Sequence, residues 1–108
     1  MTGLSTHVLD AVTGSPATGV EVSLQDASGT ELASGVTDAD GRIAQVNVVA
    51  LIPGIHHLVF DTGNWFSAND IAGFYPEIDI CFEVDDPDRH YHVPVLLSPY
   101  SYSTYRGS

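Results

Sequence analysis

"EIDICFEV", residues 77–84, alternates without a slip: Ile78, Ile80, Phe82 and Val84 fall on one side, Glu77, Asp79, Cys81 and Glu83 on the other. Side chains of a β-strand repeat every two residues, so this run has one apolar face and one polar face. That is the pattern of a strand packed on a core with its back to water, as in antiparallel sheets. Cys81, within this alternating apolar run, reads as buried filler rather than a reactive thiol.

The same short period recurs in both directions from this strand. "HYHVPVLLSP" (90–99) and "YSYSTYR" (100–106) follow it, separated from it by the turn "DDPDR" (85–89). Pro94 predicts an edge position or a bulge, because proline has no N–H to give to a ladder. Upstream lie "IHHLVFDT" (55–62), "IAQVNV" (43–48), "ELASGVT" (31–37), "VEVSLQDA" (20–27) and "LSTHVLD" (4–10). Turn formers divide them, as in "TGSPATG" (13–19), "DADGR" (38–42) and "IPG" (52–54). Only "NWFSANDIAG" (64–73) suits a helix; it sets Trp65, Phe66, Ala68 and Ile71 on roughly one side, where they can cover a sheet edge. About eight strands and one short helix, with turns every ten or so residues, predict an antiparallel β-sandwich.

At 108 residues the chain is one domain, 1–108, with a modest core and no room for a deep pocket of its own. Fourteen acidic residues stand against three arginines and no lysine, a net charge of −11. Such a field opposes phosphate backbones and anionic lipids, so nucleic-acid and membrane partners are not expected. "MTGLSTHVLD" has neither a basic n-region nor an apolar h-region, and a single cysteine permits no internal disulfide; both features predict a cytoplasmic protein. Tyr91, Tyr100, Tyr102 and Tyr105 crowd the C-terminal end, and amphipathic aromatics of that kind favour self-association.

Five histidines and three arginines are the groups with chemistry to offer. His7 sits within the first strand; His90 and His92 share a strand face; His56 and His57 are adjacent, so one points outward. Arg42 can pair with Asp38 or Asp40, and Arg89 with Asp85, Asp86 or Asp88, contacts worth little when exposed. Arg106 has no acid nearby in sequence and reads either as a solvated charge or as part of a site. His90 and His92 with a third ligand would suit zinc, but no Cys or carboxylate stands at tight ligand spacing. There is no serine-nucleophile elbow, no phosphate-binding loop and no H-E-x-x-H. What remains is hydrolysis by activated water, with histidine as base and arginine as electrostatic clamp.

"LSTHVLD", "T.ADGR", "FYPE" with "FEV", "HYHVP.LLSP" and the terminal "YRGS" occur in order over nearly the whole chain. Together they resemble the transthyretin-related family, and within it the 5-hydroxyisourate hydrolases of purine catabolism. The resemblance implies a transthyretin-like (prealbumin-like) sandwich of two four-stranded sheets with a short helix. It implies a homotetramer, a dimer of dimers, with sites in the channel between dimers. By motif, the catalytic residues would be His7, Arg42 and His92, and Tyr105, Arg106, Gly107 and Ser108 would bind substrate. The implied reaction opens 5-hydroxyisourate at a ring amide to give 2-oxo-4-hydroxy-4-carboxy-5-ureidoimidazoline, with no metal or organic cofactor. The competing expectation is a transthyretin-type carrier holding an aromatic ligand in the same channel. Ser101, where glycine is common, and the 61–75 segment depart from the family pattern.

Overall fold

The structure is a computed structural model and describes residues 3–107. In chain order the elements are β1 (Leu4–Asp10), β2 (Glu21–Asp26), β3 (Glu31–Val36), β4 (Arg42–Ile43), β5 (Gly54–Phe60), α1 (Thr62–Ala68), β6 (Ile78–Val84), β7 (Tyr91–Leu97) and β8 (Tyr102–Thr104). They form two four-stranded sheets, ordered β4-β1-β7-β8 and β3-β2-β5-β6. Leu4, Val8, Val93, Val95 and Leu97 of the first sheet meet Val22, Leu24, Leu58, Phe60, Ile78 and Val84 of the second, all buried. These are the inward positions of each alternation, and their burial is what holds the two layers together. On β6, Ile78 and Val84 are fully covered, Ile80 and Phe82 lie partly buried against the core, and Asp79 and Glu83 face out.

Several expectations are corrected. Cys81 is exposed, because it shares the outward face of β6 with the acids beside it. The strand expected over 43–48 ends at Ile43. Beyond it the buried Asn47 side chain substitutes for a ladder: its Oδ1 accepts the Leu4 N–H at 2.9 Å and its Nδ2 donates to the Val49 carbonyl at 2.8 Å. The helix runs over 62–68, not 64–73. It buries Thr62, Trp65 and Phe66 and leaves Ala68 exposed. Asn69 ends it by bonding back to the Trp65 carbonyl, and Asp70 follows with a left-handed φ of 56°. Ile71, past the helix, still packs on the core.

Pro94 lies on an inner strand, not an edge. Five of the six strand pairings are antiparallel; the sixth, β1 with β7, is parallel and places His7 opposite Pro94. On the other side, β8 pairs with β7 through Thr104 and the chain returns to it at Gly107, which bridges His92. Between these, opposite Pro94 and Val93, Tyr105 and Arg106 make no ladder, because Pro94 has no N–H to offer. The Pro94 carbonyl instead accepts the Thr104 hydroxyl at 2.8 Å. The last strand is therefore three residues, not seven.

Candidate active site

The outward face of the first sheet gathers the chemistry. Thr6 and Val8 of β1 turn into the core, so Ser5 and His7 turn out. The β1–β4 register sets His7 beside Arg42, and the β1–β7 register sets Ser5 beside His92. Strands in a sheet lie about 4.8 Å apart, so side chains from three strands converge on one patch. Arg42 is delivered by the loop 38–42. The Asp38 carboxylate accepts the backbone N–H groups of Asp40 and Arg42, at 2.9 and 3.0 Å. Those bonds, the Arg42 one foremost, hold Asp38 below the usual carboxylate range. Gly41 closes the loop with φ 73°, and its carbonyl accepts the Val8 N–H at 2.7 Å. A Cβ there would collide with the Val8 carbonyl oxygen, so only glycine lets the loop press this closely on β1.

The expected Arg42 ion pair does not form: Asp38 holds its backbone, and among the described residues the one ion pair within 4 Å is His57–Asp79. The Arg42 guanidinium is exposed and free to meet a ligand. His92 is half-buried, and its Nδ1 lies 2.8 Å from the Ser5 hydroxyl. The same hydroxyl lies 2.8 Å from Nε2 of His90. Burial first, then the charges of Arg42, His7 and His90, push the His92 pKa below 6.5, while a hydrogen bond to Ser5 works the other way. The net result favours the neutral imidazole, the form that can accept a proton.

The C-terminal residues approach from β8. Gly107 donates its N–H to the His92 carbonyl at 2.9 Å and packs against the His92 ring, where a Cβ would strike Cδ2. Arg106 stands over the Tyr91 ring, 5.0 Å from its centroid, where the ring face attracts the cation. With Tyr105 and Thr104 it lines a cavity of about 320 Å³ whose other walls are Ile80, Phe82, Glu83, Tyr91, His92 and Val93. The structure thus brings together His7, Arg42, His92 and Gly107. It sets Tyr105 and Arg106 on the neighbouring cavity that His92 also borders. Ser108 lies outside the described residues. Two neighbours were missed from sequence, Ser5 and His90 as its partner. The "HYH" repeat and the alternation of "LSTH" carried the signal; only the parallel register, which sequence does not show, joins them.

Among the other histidines, His56 is buried with Nδ1 3.0 Å from the Gly54 carbonyl, and the outward His57 bonds Asp79 at 2.8 Å. Both are occupied far from this patch in the second sheet. Among the described residues no three His, Cys, Asp or Glu side chains gather as a metal site, and no helix is long and apolar enough to cross a membrane.

Comparison with known proteins is consistent along the whole chain. The sequence profile of the HIUase/Transthyretin family matches residues 4–107. The 5-hydroxyisourate hydrolase of Salmonella typhimurium is 48% identical, over 97% of this chain and 80% of that protein. The 5-hydroxyisourate hydrolase of Caulobacter vibrioides is 45% identical over the full length of both. Among solved structures, that of Klebsiella pneumoniae 5-hydroxyisourate hydrolase superposes with a TM-score of 0.91 at 43% identity, covering 99% of this chain and 100% of that one. Sea bream transthyretin in complex with thyroxine superposes with a TM-score of 0.87 at 33% identity, covering 96% and 93%. With its eight strands in two sheets, its short helix and these matches, the chain belongs to the HIUase/Transthyretin family.

Proposed function

We propose that this protein is a cytoplasmic hydrolase of urate degradation that opens 5-hydroxyisourate at a ring amide. The observation that carries this reading is the joint outward presentation of His7, Arg42 and His92, with no carboxylate of the described residues within 4 Å of the Arg42 guanidinium and His92 favoured neutral. A neutral imidazole takes a proton from water as it attacks the ring carbonyl. The Arg42 guanidinium stabilises the negative charge that develops on the carbonyl oxygen, and the breaking C–N bond leaves nitrogen to be protonated. The product carries a new carboxylate. In a chain of net charge −11 the long-range field opposes an anionic heterocycle, so local cations must hold it. In this reading Arg42 on the patch and Arg106 from the neighbouring cavity are the cations that do so, with Tyr105, Gly107 and Ser108 completing the substrate contacts.

The patch is an open sheet face, and an open face cannot exclude water unaided. A second subunit laid over it would close the site, which fits a homotetramer built as a dimer of dimers. The first pairing would use the other exposed feature: β6 and β8 are unpaired edges of the two sheets and flank the same cavity.

The test is to generate 5-hydroxyisourate with urate oxidase and follow its ultraviolet decay with and without the protein. Accelerated decay is expected. Decay at the spontaneous rate would defeat the hydrolase reading, and saturable binding of thyroxine or a similar aromatic in its place would establish the carrier.

A further inference from the structure

The Ser5 hydroxyl sits within 2.8 Å of two imidazoles at once, Nδ1 of His92 and Nε2 of His90. A hydroxyl has one proton, so it can donate to only one of the two rings and must accept from the other. The two tautomers are therefore locked together. With Nδ1 committed to Ser5, Nε2 is the His92 nitrogen left to face a substrate. If Ser5 donated to His92, Nε2 would carry the ring proton and could not act as a base. If His92 donates to Ser5, Nε2 is bare, and Ser5 in turn donates to His90. His90 is exposed, whereas Ser5 is 9% exposed and His92 half-buried, so the chain of bonds runs from the site to bulk water.

We propose that Ser5 and His90 are positioning residues that fix His92 as the Nδ1–H tautomer and relay its proton to solvent, with His92 Nε2 as the general base. This rests on the hydrolase reading. Water gives a proton to Nε2 as its oxygen bonds to the ring carbonyl carbon, making His92 an imidazolium. The Nδ1 proton then passes to the Ser5 oxygen while the Ser5 proton passes to Nε2 of His90. His92 is left neutral with its proton on Nε2, and the charge resides on His90, which releases a proton to water. As the C–N bond breaks, Nε2–H gives its proton to the departing ring nitrogen while Ser5 returns a proton to Nδ1, His90 returns one to Ser5 and water reprotonates His90, which restores the Nδ1–H tautomer. The one proton set free per turnover is that of the new carboxyl group, since the departing nitrogen becomes part of a weakly basic ureido group and stays neutral. The groups facing His92 are Ser5 and His7 on β1, Arg42 on β4, His90 ahead of β7 and Gly107 after β8. Arg42 and His7 discourage charge from staying on His92, which favours passing it outward.

The chain of bonds can be read without substrate. Long-range ¹H–¹⁵N spectra should show His92 as the Nδ1–H tautomer in the intact protein and mainly Nε2–H in Ser5→Ala. Ser5→Ala should lower kcat about tenfold or more with KM little changed, a small part of what a general base contributes. His90→Gln alters an exposed side chain, so the fold is not at stake. It should slow turnover in weak buffer and recover with added imidazole. An Nε2–H tautomer in the intact protein, or no change in Ser5→Ala, would overturn the tautomer assignment. Full turnover of His90→Gln in weak buffer would overturn the relay alone. An intact protein that leaves 5-hydroxyisourate untouched would remove the parent reading, and the spectra would still decide the bonds among Ser5, His90 and His92.

Discussion

At His92, burial among Arg42, His7 and His90 disfavours the imidazolium, and the direction has two consequences for pH. Between the folded-state pKa and the ordinary 6.5, the unfolded chain binds a proton that folded His92 does not. This residue therefore lowers stability as pH drops below about 6.5 and has no such effect above it. The acid limb of kcat/KM should lie below 6.5 for the same reason. Replacing Arg42 by Gln removes one of the causes but not burial, the largest, so an NMR titration should show the His92 pKa rising only part of the way back. For turnover, His92→Ala and Arg42→Ala should each lose at least about 100-fold, the scale of a lost acid/base or oxyanion group, with the thermal midpoint little changed. Near-normal rates in both would refute the site. Gly107→Ala should press a methyl into the His92 ring. Its kinetics should suffer more than its melting temperature. That His7 and His92 stand on an outward strand face was legible in the sequence, because strand alternation assigns a side to each residue; that Arg42 lies beside His7 came from the register, and the roles rest on the family motifs. Ser5 was not legible, since a serine in a strand has no pattern of its own. Cys81 was misread by its neighbourhood, although its own place in the alternation, among Glu77, Asp79 and Glu83, put it outside.

At the scale of elements, strands with unbroken alternation were legible and their interruptions were not. β1, β5 and β6 lie within a residue or two of the expected bounds. "IAQVNV" has strand composition, yet Asn47 turns inward and takes over the hydrogen bonds a ladder would have made. Asn47→Ala would leave the buried Leu4 N–H unpaired and should cost about 1–3 kcal/mol, readable as a lower urea midpoint. Activity should fall with it only as far as folding does. Gly41→Ala strains a left-handed position and strikes the Val8 carbonyl. It should destabilise the fold and also displace Arg42, so both urea midpoint and turnover should drop. The helix was placed in the right segment but begun and ended two to five residues late, because its stop is made by Asn69 and Asp70 and not by the later glycine. Pro94 was assigned to an edge or a bulge by a sound rule. What the rule could not supply is that β8 itself lets go of β7 where the proline stands.

At the scale of the molecule, the outward face of the first sheet and the β6 and β8 edges, two of the four sheet edges, are the surfaces the proposed tetramer would use. Light scattering at micromolar concentration should give a tetramer, and a monomer with full activity would defeat the shared site. Removing residues 105–108 should cost activity far more than stability, since Tyr105 and Arg106 are exposed and outside any ladder. Full turnover of the shortened protein would make the segment dispensable. The sandwich itself was legible from period and turn spacing. The pairing of strands was not, because period says which side a residue faces and nothing of which strand lies beside it.

That pairing also governs how the protein comes into being. Ser5 and His92 are 87 positions apart, yet their strands are direct neighbours at the middle of a sheet. Joining them closes a loop whose entropy cost exceeds that of a ten-residue loop by about 2 kcal/mol, and contacts of such range slow folding. On the ribosome, β1 waits with its apolar side uncovered until β7 has been synthesised. Hairpins such as β2–β3 can form early, but the patch bearing Ser5, His7 and His92 cannot exist in any shorter nascent chain. Catalytic competence is thus acquired in one late event, when the two ends of the sequence meet.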